Sequence, residues 1–390
     1  MITRLLEPEL KRRAQEMPAI ALLGPRQSGK TTLAKAAFPH HAYVSLENYD
    51  EREDAVQDPR GFLNRKSNES GIILDEIQHI PQLLSYIQTI IDAEATFGRF
   101  ILTGSQNILV NQAISQTLAG RVALFTLLPL STAELAASSL LQDTVEQFTF
   151  TGCYPRIYAH NLRPTQWYLD YIETYVERDV RQIGKIGDLT TFRRFIRLCA
   201  GRVGQILNLT SLASDCGIDL RTAKAWLSVL EATYIIFLLQ PHHVNFSKRL
   251  IKSPKIYFYD SGLACALLGI QSSEQLDSHY ARGSLIETAL VAEIIKHYYN
   301  NGLRPHDVYF WRDQTGNEID CVIQRNSELV PIEIKAGLTI TSDFFKGLKF
   351  WKELVQDPEA PGYVIYGGQE TQKRSSGTVV SWRDISPIFG

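Results

Sequence analysis

The sequence predicts an α/β fold built on a parallel sheet, then a largely helical segment, then a second α/β unit. Three observations predict it. Short apolar runs at residues 19–23, 42–46, 72–74, 100–102 and 122–127 alternate with helix-compatible stretches. Their apolarity is continuous, as in strands buried on both faces. From about residue 131 to 240 the apolar positions recur at three and four residues, as at Tyr168, Tyr171, Ile172 and Tyr175. Beyond residue 281 a helical pattern at 284–299 precedes strand patterns near 307–312, 318–324, 329–335 and 362–366.

Length and composition bound the rest. A chain of 390 residues, at about 150 per domain, predicts two to three domains. The 44% apolar and 21% charged fractions are ordinary for a globular protein. With 40 basic and 42 acidic residues the formal charge is −2. That excludes a generally polybasic coat for nucleic acid while leaving room for a local basic face. No apolar run approaches the roughly 18 residues of a membrane span. The start of the chain passes from Leu5-Leu6 directly into Lys11-Arg12-Arg13, with no apolar leader pattern. Cys153, Cys199, Cys216, Cys265 and Cys321 stand singly, which excludes CxxC zinc spacing and argues against a disulfide framework. A reduced, cytoplasmic setting is expected.

The first apolar run ends in Gly24-Pro25-Arg26-Gln27-Ser28-Gly29-Lys30-Thr31, followed by Thr32, and matches G-x-x-x-x-G-K-[ST]. Main-chain amides of such a loop converge on phosphate oxygens at a helix N-terminus. Lys30 is expected to reach the β- and γ-phosphates of a nucleotide, and the Thr31 hydroxyl to ligate Mg²⁺. The third run ends in Asp75-Glu76. An acid at the end of a buried strand is costly unless it meets a cation or donors. Asp75 is expected to hold the Mg²⁺, and Glu76 to orient and deprotonate an attacking water. Arg121 is a candidate charge-stabilising finger, which in trans would require an oligomer.

Residues 209–240 read as short helix, turn, longer helix: Leu212 and Ala213, then Gly217 and Ile218, then Ala223, Trp226, Leu227 and Leu230. With a strand at 256–259 this sketches a winged helix in which Trp226 belongs to the core. The flanks are basic. Residues 241–259 hold Lys248, Arg249, Lys252 and Lys255 with no acid, and residues 176–202 hold Arg178, Arg181, Lys185, Arg193, Arg194, Arg197 and Arg202. Clustered cations and the polar start of a second helix are what phosphate and base contacts need. Arg221, Lys224, Lys248, Arg249 and Lys252 are therefore candidate nucleic-acid contacts. A protein-binding role, or a lid with Arg178 and Arg181 facing the nucleotide, stays open. His242-His243 is expected on the exposed side of the wing.

Near the C-terminus Glu333 and Lys335 share a strand face by period two, with Ile332 and Ile334 on the other. Asp320 lies on the preceding strand, and a turn at Arg325-Asn326-Ser327 would bring it beside Glu333. Glu287 on the upstream helix, or else Glu293, would complete the set. Glu287, Asp320, Glu333 and Lys335 look like the PD-(D/E)xK nuclease arrangement, in which two carboxylates hold Mg²⁺ or Mn²⁺ and a lysine positions the water. An inactive module with a Glu333–Lys335 ion pair is the other reading.

Taken together, Leu22-Leu23-Gly24-Pro25-Arg26-Gln27-Ser28-Gly29-Lys30-Thr31-Thr32, Leu74-Asp75-Glu76-Ile77-Gln78 and Leu102-Thr103-Gly104-Ser105 resemble the AAA-type ATPases of the P-loop superfamily. With Lys248-Arg249-Leu250, Ser253-Pro254-Lys255-Ile256-Tyr257-Phe258-Tyr259-Asp260-Ser261-Gly262-Leu263 and Glu333-Ile334-Lys335-Ala336-Gly337, the chain looks like the bacterial and archaeal members that carry a C-terminal domain of unknown function 4143. The resemblance implies ATP and Mg²⁺ as ligands, hydrolysis, and a central strand whose polar tip, Ser105 or Gln106, senses the γ-phosphate. The expected organisation is a P-loop ATPase core at 1–132, a helical lid or connector at 133–205, a winged helix at 206–280 and a nuclease-like domain at 281–390. The expected activity couples ATP turnover to nucleic-acid binding or processing, without a membrane partner. The alternative is a nucleotide-controlled switch whose C-terminal half binds a protein.

Overall fold

The computed structural model describes residues 2–94, 96–105, 114, 116–176, 188–242, 252–326 and 328–390. Its first layer is a parallel five-stranded sheet: β1 (Ala19–Gly24), β2 (Ala42–Ser45), β3 (Ile72–Asp75), β4 (Phe100–Ser105) and β5 (Val122–Thr126), in the order β2-β3-β4-β1-β5. Every residue of β1, β3 and β4 is buried. The reason is a core on each face. Ile20, Leu22, Ile73 and Ile101 join Leu6, Leu10 and Leu33, while Ala19, Ala21, Leu23, Leu74 and Leu102 join Leu84 and Ile87. Helices α1 (Glu7–Ala14) and α2 (Lys30–Ala37) cover the first face. Helices α3 (Tyr49–Gln57), α4 (Pro59–Lys66) and α5 (Leu83–Ala93) complete the unit. Parallel pairing places Gly24 opposite Ser105 and Ser45 opposite Asp75, so the polar strand tips meet at one end.

The helical middle comprises α6 (Thr132–Ala137), α7 (Val145–Thr151), α8 (Pro155–Ala159), α9 (Pro164–Tyr171), α10 (Leu189–Ala200), α11 (Leu209–Cys216) and α12 (Leu220–Ala232). Asn208 and Asp219 cap α11 and α12 through Ser211 and Thr222 amides at 3.0 and 2.9 Å. Gly217 ends α11 at φ +75°, the left-handed residue that a tight helix-helix turn requires. Strands β6 (Ile236–Leu239) and β7 (Lys255–Phe258) then pair antiparallel, Ile236 opposite Phe258. Trp226 is buried against Phe192 and Phe195, with ring centroids at 5.3 and 5.4 Å. His242 is not on an exposed wing. It is buried, its amide bonds the Phe310 carbonyl at 2.7 Å and its ring packs on Tyr309.

After α13 (Ser261–Leu267) and α14 (Ser273–Asp277), the long α15 (Arg282–Asn300) precedes a six-stranded mixed sheet. Its strands are β8 (Val308–Arg312), β9 (Glu318–Arg325), β10 (Glu328–Lys335), β11 (Tyr363–Tyr366), β12 (Gln372–Arg374) and β13 (Gly377–Ser381), with α16 (Lys346–Val355) between β10 and β11. The order is β12-β13-β11-β10-β9-β8. One apolar core runs through this unit and beyond it. It extends from Leu128 and Leu130 through Phe237 and Tyr257 to Leu290 and Ile294 of α15, and on to Val380. The C-terminal sheet is thus packed against the connector and the hairpin rather than suspended beside them. All five cysteines are buried and free. Among the described residues no helix is long and apolar enough to cross a membrane.

Candidate functional site

The first site forms where β1 gives way to α2. Gly24 has φ +148°, and a Cβ there would lie 2.2 Å from the Leu127 carbonyl oxygen, so only glycine fits. Gln27 (φ +63°) and Gly29 (φ +93°) turn the loop into the first residues of α2. The buried Lys30 ammonium folds back on that loop, donating to the Gly24 and Pro25 carbonyls at 3.0 and 2.8 Å. Thr31 projects the other way, and its hydroxyl donates to both Asp75 carboxylate oxygens, at 2.9 and 3.0 Å.

Asp75 collects two further hydroxyls, Tyr43 at 2.9 Å and Thr103. Burial pushes the Tyr43 phenol up to about 12, and the Asp75 charge adds to it. Glu76 follows in a left-handed conformation, φ +60°, which turns its side chain away from that of Asp75. Its carboxylate accepts from the Ser105 hydroxyl at 2.8 Å and from Gln78. Burial alone would raise the Glu76 carboxyl, but Lys30, Ser105, Gln78 and Arg26 outweigh it and hold the group below the ordinary range. A cavity of about 580 Å³ is lined by Lys30, Thr31, Asp75 and Glu76 on one side and by Pro155, Arg156 and His160 on the other. A hydroxyl beside a buried carboxylate is a set of hard oxygen donors, which fits Mg²⁺.

The second cluster lies on the C-terminal sheet. Antiparallel pairing sets Ile332 opposite Cys321, which brings Asp320 level with Glu333. Asp320 accepts from the Ile334 amide at 2.8 Å and lies 3.7 Å from the Lys335 ammonium, which bonds Glu333 at 2.5 Å. Glu287 on α15 faces the same cluster, accepting from Lys255 at 3.0 Å and Tyr257 at 2.6 Å. Burial and the Asp320 charge push the Glu333 carboxyl up to about 8, with Lys335 opposing. Glu293 goes elsewhere: it takes the Thr132 amide at 2.7 Å and pairs with Lys296. Among the described residues no group of three or more His, Cys, Asp or Glu side chains is arranged to hold a metal ion.

Family models match three consecutive stretches: an AAA domain at residues 16–136, a domain of unknown function 8612 at 142–274 and a domain of unknown function 4143 at 282–385. The uncharacterized proteins Rv2008c of Mycobacterium tuberculosis and Mb2031c of Mycobacterium bovis are each 30% identical over 336 residues, covering 85% of this chain and 73% of theirs. The chain belongs to the AAA-type P-loop ATPases that carry a C-terminal domain of unknown function 4143. Solved structures resemble this AAA-type ATPase more distantly. The Walker-type ATPase PABY2304 of Pyrococcus abyssi has 16% identity and a TM-score of 0.45, over 67% of this chain and 94% of that one. The RuvB Holliday junction branch migration motor of Thermotoga maritima has 19% identity and a TM-score of 0.30, over 60% and 86%.

The remaining expected residues of the AAA-type ATPase fall in several places. Ser105 ends β4 beside Glu76, whereas Gln106 lies outside the described residues. Arg121 precedes β5, at the end of the sheet opposite the phosphate loop, and pairs with Asp92 at 2.5 Å. It does not border the cavity of its own chain. Arg221, Lys224 and Lys252 are exposed. Lys248, Arg249, Arg178, Arg181 and Lys185 lie outside the described residues. Lys255 is no surface cation; its side chain is only 2% exposed. Two residues that sequence reasoning missed border the nucleotide cavity. Arg4 donates to the Ser28 carbonyl of the loop at 2.7 Å, the Leu128 carbonyl at 2.7 Å and Glu134 at 2.9 Å. Arg156 reaches the cavity from α8. No sequence spacing announces either one, because both arrive through tertiary packing.

Proposed function

We propose that this chain binds ATP with Mg²⁺ in the cavity above the loop of residues 24–32 and hydrolyses it. The carrying observation is the juxtaposition of Thr31 with Asp75 at 2.9 Å while Glu76 and Lys30 border the same cavity. Lys30 exchanges its two loop carbonyls for β- and γ-phosphate oxygens. Thr31 and Asp75 hold the Mg²⁺, which when bound offsets charge on the phosphate oxygens. Glu76, kept ionised by Lys30 and Ser105, accepts a hydrogen bond from the attacking water and orients it in line with the γ-phosphate. Ser105 ties the position of Glu76 to the end of β4. Arg121 would serve a neighbouring copy.

The work done with this turnover is assigned to nucleic-acid binding. What supports it is the surface of α10. Arg194 and Arg197 project from its exposed face into a groove of about 590 Å³ together with Tyr280, which is 82% exposed. Cations beside an open aromatic ring suit a phosphate backbone with a stacked base. Arg221, Lys224 and Lys252 are further exposed cations. A second reading, a nucleotide-controlled switch whose C-terminal half is an inactive nuclease-like module that binds a protein, is favoured by the internal pairing of Glu333 with Lys335.

Turnover measured with and without single-stranded and duplex DNA separates these readings. Lys30→Ala is expected to abolish ATP binding, and Glu76→Gln to keep binding and lose hydrolysis. Full turnover in Glu76→Gln rejects its assignment. Stimulation by DNA that falls steeply with salt selects the nucleic-acid reading, and indifference to every nucleic acid selects the switch.

A further inference from the structure

Beside the C-terminal sheet, Glu287, Glu318, Asp320 and Glu333 form a partly buried cluster of four acids. A divalent ion in such a place needs oxygens from two or more carboxylates free to converge on one point. Here at least one oxygen of each acid is already engaged. Asp320 accepts the Ile334 amide, and one Glu333 oxygen accepts Lys335. The other Glu333 oxygen is buried without a partner against α16, where a Cβ on Gly347 would meet it at 2.1 Å. Glu318 is shared between Arg312, at 2.8 Å, and Lys255.

Beside Lys335, a second cation of this arrangement does not come from the sheet. Lys255 opens β7 of the hairpin, and its ammonium bridges Glu287, at 3.0 Å, and Glu318. Tyr257, two residues on and therefore on the same strand face, donates to the same Glu287 oxygen at 2.6 Å. The Phe310 ring closes the site 5.6 Å from the ammonium. A lysine held this way has no route to water that keeps its partners. Moving it aside would strand a desolvated charge.

We infer that Lys255 is the resident cation of this carboxylate cluster and excludes a divalent metal from it, so that the C-terminal module cuts no nucleic acid. The donor set does not fit a metal ion while the hairpin is in place. The cluster instead joins the hairpin to the C-terminal sheet through ion pairs. This inference is independent of what stimulates ATP turnover.

The test is a Mn²⁺ titration of the full chain, followed by loss of the free-ion electron paramagnetic resonance signal. An Asp75→Asn background keeps the nucleotide site out of the readout. The background protein is expected to bind no Mn²⁺ that Asp320→Asn removes. Adding Lys255→Met is expected to create a bound ion that Asp320→Asn abolishes. Mn²⁺ binding in the background that depends on Asp320 overturns the inference. So does a folded Lys255→Met variant that gains no ion. Should that variant fail to fold, Lys255→Met with Glu318→Gln removes one charge of each sign and is read in the same way.

Discussion

Replacing Arg4 by methionine is the perturbation whose size the structure states most directly. Arg4 lies in none of the expected motifs, yet its guanidinium holds the Ser28 carbonyl of the phosphate loop, the Leu128 carbonyl after β5 and the Glu134 carboxylate of α6. Both partners of the ion pair are buried, with side chains 6% and 0% exposed. Removing one member of a buried pair costs about 3–5 kcal/mol, because the other charge is left desolvated. Glu134 keeps the Leu5 and Ser131 amides at 2.8 and 2.9 Å, which places the cost near the lower end, about 3 kcal/mol. At roughly 2–4 °C per kcal/mol for a unit of this size, thermal unfolding should fall by about 6–12 °C. Loss of the Ser28 anchor should also weaken ATP binding about tenfold, or 1.4 kcal/mol. A double-mutant cycle of Arg4→Met with Glu134→Gln, read by melting and by nucleotide titration, should show a coupling of about 2 kcal/mol. A coupling near zero with unchanged ATP affinity would refute the view that Arg4 braces the loop against the connector.

Three further outcomes are expected. Gly24→Ala forces a Cβ to 2.2 Å from the rigid Leu127 carbonyl at a positive φ. It should cost about 2–6 kcal/mol from overpacking and strain and eliminate binding of a fluorescent ATP analogue, and retained affinity would contradict the loop geometry. Glu333, raised from 4.5 to about 8 by burial, binds its proton more tightly in the folded than in the unfolded chain. Its contribution to stability therefore declines as pH rises through that interval, and Glu333→Gln should flatten the pH dependence of melting. A variant as pH-sensitive as the parent would count against that assignment. Finally, Arg194→Glu with Arg197→Glu should weaken DNA binding and reduce the slope of log affinity against log salt by about two, whereas an unchanged slope would move the contact off α10.

The ATPase half was largely legible because its signals are local. A strand buried on both faces must be continuously apolar, so β1, β3 and β4 stand out as runs, and a loop that wraps phosphate must carry glycines where Cβ has no room, as at Gly24. The pairing of Asp320 with Glu333 was legible for a similar reason, since period two and a short turn fix the register. Elements with weak or short patterns escaped notice: α16, β12 and β13 are held in place by the sheet they join rather than by their own sequence. His242 was read as surface because a histidine pair looks exposed, and Lys255 was counted only as one cation of a basic run. Only their partners, Phe310 and Tyr309 for one and Glu287 and Glu318 for the other, explain their burial.

The amino-acid order alone determined the chemistry of the nucleotide site, since one strand-loop-helix unit fixes where Lys30 and Thr31 can point and a second buried strand ends in Asp75 and Glu76. Tertiary structure decided what that site is attached to and which charges face which. Arg4 and Glu134 are 130 positions apart and Lys255 and Glu287 are 32 apart. Such pairings arise from packing between separate elements, and an ion pair leaves no periodic trace in either of the segments that supply it.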